Sequence, residues 1–389
     1  MIDADFTALL EQVRKLGVES IRPAAADVDR RSRFPEESLA AFRKARLLGA
    51  AIPAEFGGLG LTLQQMSAVC TVIGQHCSAS AMIFAMHQIQ IACLSRHAAS
   101  SPTINAFLRE CVERQLLIAS VTSEVGVGGD MRSSIAGVRR DGDRAELEKA
   151  ASVISYGAHA DALLLTARSA PDAPANDQVL VLLRKGDYEL EQKSEWDTLG
   201  MRGTCSPGFV VKAAFPANQI LETPFSAIAS LTMVPYSHVV WTSAWLGIAS
   251  DAVARSRQMV RAEARRRPGV TPFGATRLAH AVSLQQTMRT QIHDTAREYE
   301  ELCASPTGAD TLFSIGYAIK INNLKILGST MVTQIVTECL TLCGMAGYSN
   351  SSPFSMGRQL RDSISAALMI ANDRINATNA ALLLVHKDG

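Results

Sequence analysis

From Thr223 to Ser250 the chain carries no Asp, Glu, Lys or Arg. A stretch so empty of charge is either a membrane span or a deeply buried piece of a core. A span needs about 20 consecutive apolar residues. Pro224, Pro235 and repeated Ser and Thr interrupt this one, so it reads as buried protein and no membrane insertion is expected. Other features are scarce as well. Aromatic residues make up 5% of the 389 residues, and the net charge of +1 leaves no basic face for nucleic acid. Eight cysteines (Cys70, Cys77, Cys93, Cys111, Cys205, Cys303, Cys339 and Cys343) are scattered without a CxxC pair. That argues against a zinc site or a disulfide framework and for reduced thiols in a cytoplasmic protein. No metal site is expected. The opening MIDADFTALLEQVRK has early acids and no apolar core, unlike a secretory signal.

What is present is a composition of 47% hydrophobic and 19% charged residues, that of a soluble globular protein with more than one domain. Hydrophobic periodicity divides the chain in three. Residues 1–115 read as helices: FPEESLAAFRKARLLG has helical apolar spacing, with Pro35 near its start and Gly49 at its end. Residues 116–224 break into short β-like runs, among them LLIASVT, AELEKAASVIS, DALLLTAR, QVLVLLRKG and GFVVKAAF, separated by Gly, Asp and Pro. Strands and helices do not alternate there, which argues against a parallel nucleotide-binding sheet. Residues 225–389 return to helix in four long segments, the last being LRDSISAALMIANDRINATNAALLLVHK, as in an antiparallel four-helix bundle. That last segment is apolar around most of its surface, so burial against other chains is expected.

Gly126, Gly128 and Gly129 would let backbone N–H groups come close to a phosphate or ring oxygen, with the hydroxyls of Thr122 and Ser123 beside them. That loop belongs to an ordered series: IPAEFGGLGL, IASVTSEVGVGGD, LEKAASVISYG, WDTLGMRGTCS, and CGMAGY followed by GRQLRD. The series spans nearly the whole chain and resembles the motifs of the acyl-CoA dehydrogenase superfamily. The resemblance implies a mainly α fold with a central antiparallel β-barrel or sandwich, a homotetramer and bound FAD. It places Thr122 and Ser123 at the flavin ring, the Gly128–Gly129 backbone at the pyrophosphate, and Ser155 where the family has a threonine near N5. Gly344 and Gly347 would approach the adenosine half, Asn372 would contact FAD, and Arg267 would reach the pyrophosphate of a neighbouring subunit. Three departures stand out. Gly129 replaces a serine, Val153 replaces a tryptophan that shields the ring, and Arg267 lies six residues before Phe273-Gly274 where the family has three.

α,β-Dehydrogenation of a thioester needs a base aimed at Cα while hydride leaves Cβ. A carboxylate suits this task, because desolvation raises its pKa toward neutrality. The two positions at which branches of the family carry that glutamate fall on Ile370 and Ser237. His238 is one residue past the second position, about 100° round a helix. His87, in FAMHQIQ, falls where the family lines its acyl pocket. These two histidines are the candidate catalytic residues, although a lone histidine in an apolar stretch is often a satisfied core residue. Two acids are weaker substitutes: Asp373, three residues past the first position, where the resemblance implies contact with FAD and not substrate, and Glu124 of the flavin loop.

The expectation is an FAD-dependent oxidoreductase that dehydrogenates an acyl thioester, on coenzyme A or an acyl-carrier protein, with electron-transfer flavoprotein or oxygen as acceptor. A flavin monooxygenase on the same fold needs no carboxylate at an α-carbon and is the alternative. A non-catalytic homologue is a third reading.

Overall fold

The computed structural model describes residues 3–98 and 100–386. Six helices come first: α1 (Asp3–Leu16), α2 (Arg22–Arg31), α3 (Glu36–Lys44), α4 (Leu63–Gly74), α5 (Ser78–His97) and α6 (Pro102–Arg114). Local chemistry sets their starts. Thr62 accepts from the Gln65 N–H while the Gln65 side chain accepts from the Thr62 N–H, a reciprocal cap on α4. Ser101 caps α6, with Pro102 in its first turn.

Seven strands follow: β1 (Ile118–Val121), β2 (Arg139–Asp141), β3 (Arg144–Ala151), β4 (Ala162–Arg168), β5 (Gln178–Arg184), β6 (Tyr188–Gln192) and β7 (Phe209–Pro216). They form two sheets, β1-β4-β5 and β2-β3-β7-β6. β3 alternates exposed and buried residues, as a strand with one wet face must. β4 is buried on both faces through Ala167, which is why its sequence is a continuous apolar run. One pairing departs from the antiparallel expectation: β1 runs parallel to β4. A parallel pair needs a long crossover, and the excursion through β2 and β3 in the other sheet supplies it.

The chain then returns to helix. α7 (Phe225–Ile228) continues through a π-turn at Ala229–Met233 into α8 (Val234–Arg266). After it come α9 (Ala275–Ala304), α10 (Gly308–Leu312), α11 (Ile315–Tyr348), α12 (Gly357–Leu368) and α13 (Asn372–Leu383). α8 packs against α4, α5, α9 and α11, and every residue from 235 to 253 is buried. The part of the charge-free stretch that lies in α8 is therefore core. It packs closely on α4, where a Cβ on Gly247 would lie 2.6 Å from the Gly74 Cα. Ser67 and Ser243 bond across the same crossing at 2.7 Å. α11 is long and apolar enough to cross a membrane, yet 44% of its most apolar window is buried inside the chain.

The last helical segment is corrected by the structure. It is two helices, not one, because Ile370 and Ala371 take positive φ of 58° and 44°. A β-branched residue rarely adopts this conformation unaided. Tertiary contacts hold it: the buried Lys325 Nζ donates to Asn372 Oδ1 at 2.7 Å, and Asn372 Nδ2 donates to Ser329 Oγ at 3.0 Å. The GRQLRD and LGMRG motifs also meet, since Asp362 accepts from the Met201 N–H at 2.7 Å and from the Ser78 hydroxyl.

Candidate functional site

A cavity of about 1200 Å³ opens where the loops after β1 and β3 face α5, α8, α11 and the α12–α13 break. Small-molecule pockets commonly occupy about 300–1,000 Å³, so this one has room for more than one ligand. On its strand side lie Thr122, Ser123, Val153 and Ser155. The two motifs that carry them are pinned together: the Ser123 hydroxyl donates to the Val153 carbonyl at 2.6 Å. Ser155 is set by the Ser206 hydroxyl, which donates to it at 2.9 Å.

On the helical side, Ser237, His238 and Trp241 of α8 face the same space as Ile370 and Ala371. Ser237 and Ile370, the two positions at which the resemblance leads one to expect a glutamate, thus share one cavity. The acid lining this cavity among the described residues is Asp130, on the loop after β1, and it is committed to Arg132, whose Nε donates to Oδ1 at 3.1 Å. His238 is buried against Trp241, with ring centroids 6.0 Å apart. Its Nδ1 lies 3.1 Å from the Ser237 hydroxyl. Burial, reinforced by the charge of Lys325 and opposed by a hydrogen bond to Asn322, pushes its pKa down to about 3. The ring is therefore neutral, and protein groups engage it on two sides.

His87 does not reach the cavity, which corrects its assignment as a base. Its Nε2 donates to the Leu48 carbonyl at 2.8 Å, and its Nδ1 accepts from the Ile118 N–H at 3.0 Å. With both nitrogens used and no exposure, it cross-links α5 to β1. Burial pushes its pKa down to about 4, against the pull of the Leu48 carbonyl and Asp161. Glu124 is likewise structural: it accepts from Ser134 Oγ at 2.7 Å and from the N–H groups of Ile135 and Ala136, and lies 3.5 Å from the buried Lys149. Asp373 is exposed outside the cavity lining.

The remaining residues expected at a cofactor are spread more widely. Gly128 and Gly129 lie at positive φ in the loop after β1, and Gly129 reaches the cavity. The side chain of Arg374, which sequence reasoning missed, donates to both of their carbonyls. Asn372 is next to the cavity-lining Ala371, but its amide is taken up by Lys325 and Ser329, so the expected FAD contact from that side chain is corrected. Gly344 takes φ 55° and kinks the end of α11. Gly347 packs on Cys343 and Leu340. Arg267 is exposed at the end of α8. These last three lie outside this chain's cavity lining.

Residues 3–113 match the family described as Acyl-CoA dehydrogenase, N-terminal domain. Over 362 residues the chain is 25% identical to cyclohex-1-ene-1-carbonyl-CoA dehydrogenase of Syntrophus aciditrophicus (strain SB), covering 91% of this chain and 83% of that one. The fold superposes on butyryl-CoA dehydrogenase from Megasphaera elsdenii with TM-score 0.83, 17% identity and 99% of each chain covered. The chain thus carries an acyl-CoA dehydrogenase N-terminal domain and, along its whole length, the acyl-CoA dehydrogenase fold. The same fold extends to FMN-bound TdsC from Paenibacillus sp. A11-2, a dibenzothiophene monooxygenase, with TM-score 0.84, 20% identity and 98% of each chain covered. In this chain the strand-side hydroxyls and the positive-φ glycine loop open on one cavity, a donor set that fits a flavin ring with a phosphate tail.

Proposed function

We propose that this protein is a flavin-dependent oxidoreductase that turns over without a carboxylate base, using oxygen as co-substrate on a largely apolar compound. FAD is the proposed flavin. One observation carries the choice of reaction: Ile370 and Ser237 face the same cavity, and neither can accept a proton. A bound reduced flavin would supply two electrons, so that an organic substrate RH and O₂ become ROH and water while the flavin is oxidised. The chain's own part is to seat the ring against Thr122, Ser123 and Ser155 and to exclude water with Met82, Phe225, Met233 and Trp241. His238, kept neutral by burial, offers a polar edge without charge.

Dehydrogenation of an acyl thioester is the second reading, favoured by identity to dehydrogenases along about nine-tenths of the chain. It would need His238 as base, with an engaged ring whose pKa is depressed to about 3. Anaerobic mixing of the FAD-loaded protein with butyryl-CoA and cyclohex-1-ene-1-carbonyl-CoA separates the two. The proposal expects no bleaching, and it expects ¹⁸O from ¹⁸O₂ to enter products when the reduced protein meets apolar aromatics, beginning with indole. Rapid bleaching by a thioester would overturn it.

A further inference from the structure

The loop after β1 and the first turn of α13 are far apart in sequence, and one side chain joins them. Arg374 Nη1 donates to the Gly129 carbonyl at 2.6 Å, and Nη2 donates to the Gly128 carbonyl. A guanidinium has five N–H donors, so this grip leaves others free where Arg374 lines the cavity. Two more arginines line it, and both are neutralised: Arg361 pairs with Asp29, and Arg132 pairs with Asp130. Among the described residues Arg374 has no carboxylate within ion-pair distance; the neighbouring Asp130 is held by Arg132.

Gly129 is what admits this guanidinium. A Cβ built there would lie 2.5 Å from Arg374 Nη1 and 2.9 Å from Nη2, and the backbone stands at φ 76°. A cation whose neighbouring carboxylate, Asp130, is already paired with Arg132, beside a loop that turns through positive φ at Gly126, Gly128 and Gly129, is suited to anionic oxygens that approach from the cavity. We propose that Arg374 binds the phosphate of the flavin nucleotide, and that Gly129 is glycine to make room for it. The inference rests on the flavin reading above. The shared chemistry is a phosphate group, a monoester in FMN and part of a pyrophosphate in FAD, so both are tested.

The experiment titrates stripped protein with FAD, FMN and riboflavin, which lacks phosphate, and follows flavin fluorescence. The wild type should prefer the two phosphorylated flavins. Arg374→Gln should weaken FAD and FMN by about ten- to a hundred-fold and leave riboflavin unchanged, so that the preference collapses. Arg374→Lys should keep part of the preference, and Gly129→Ala should lose it by displacing the guanidinium. Riboflavin binding reports on the fold in every variant. An equal loss for all three flavins would make Arg374 a structural clamp and overturn the inference, as would no change for any of them. If the wild type bound riboflavin as tightly as FAD and FMN, the phosphate site would fall while the flavin reading survived. If the wild type bound none of the three, the flavin reading would fall first and take the inference with it.

Discussion

On the strand side of the cavity, Thr122, Ser123 and Ser155 present hydroxyls from loops bonded to each other. On the helical side stand Ser237 and Ile370, the two positions at which the sequence resemblance leads one to expect a glutamate, and neither carries a charge. One wall keeps the features of a flavin platform and the other has none of the acid–base chemistry of a dehydrogenase. The contrast places function in individual side chains and not in the fold, which is common to dehydrogenases and to a monooxygenase.

The strongest way to break this contrast is to restore the missing acid. Ser237→Glu is expected to raise anaerobic flavin reduction by butyryl-CoA by about 10²–10⁴, the usual worth of a positioned base. Single-turnover absorbance measures it. No gain in a folded, flavin-loaded variant would mean that the helical wall has been reshaped as well as neutralised.

The two buried histidines sharpen the contrast at a smaller scale. His87→Leu leaves the Leu48 carbonyl and the Ile118 N–H buried without partners. It should cost about 3 kcal/mol of stability in urea unfolding, with turnover per folded molecule unchanged. His238→Gln should stay within about 1 kcal/mol of the parent but alter the rate of flavin reoxidation, because that ring faces the cavity.

Acid titration tests the same pair. Both folded pKa values lie below the ordinary 6.5, at about 4 for His87 and about 3 for His238. The unfolded chain therefore takes up protons first. Stability should fall as pH drops below about 6.5, by up to about 1.4 kcal/mol per pH unit for each histidine, until the folded pKa is reached. His87→Leu should flatten the limb between about pH 6.5 and pH 4.

The smallest effect on a single chain concerns its outer face. Leu327, Met345, Tyr348, Leu368 and Leu384 leave exposed apolar surface on and after α11, and the expected homotetramer would cover such a face. Light scattering at micromolar concentration should give a tetramer, and Leu327→Glu with Met345→Glu should shift it to smaller species without unfolding the chain. A monomeric wild type would end this expectation.

Much of the architecture was legible in the residues themselves. Apolar spacing at a helical period, then short runs, then a helical period again follows from which faces must be dry, and the absence of charge between Thr223 and Ser250 announced the burial of α8. Periodicity is blind to a break made by distant groups. Nothing local in SISAALMIAND marks the turn at Ile370 and Ala371, which Lys325 and Ser329 of α11 hold through Asn372. The parallel β1–β4 pair is equally non-local, since pairing direction depends on where the intervening chain travels.

The sequence by itself determined the order of the helical and strand segments, the motif series and the absence of an acid at positions 237 and 370, because composition and spacing are properties of the chain alone. Only the tertiary structure decided which of two similar histidines faces the cavity and which bridges α5 to β1. It also decided that Arg374, in the first turn of α13, comes to rest on Gly128 and Gly129. A side chain's role depends on the direction in which it leaves its element and on what distant chain lies there, and only the packed fold supplies both.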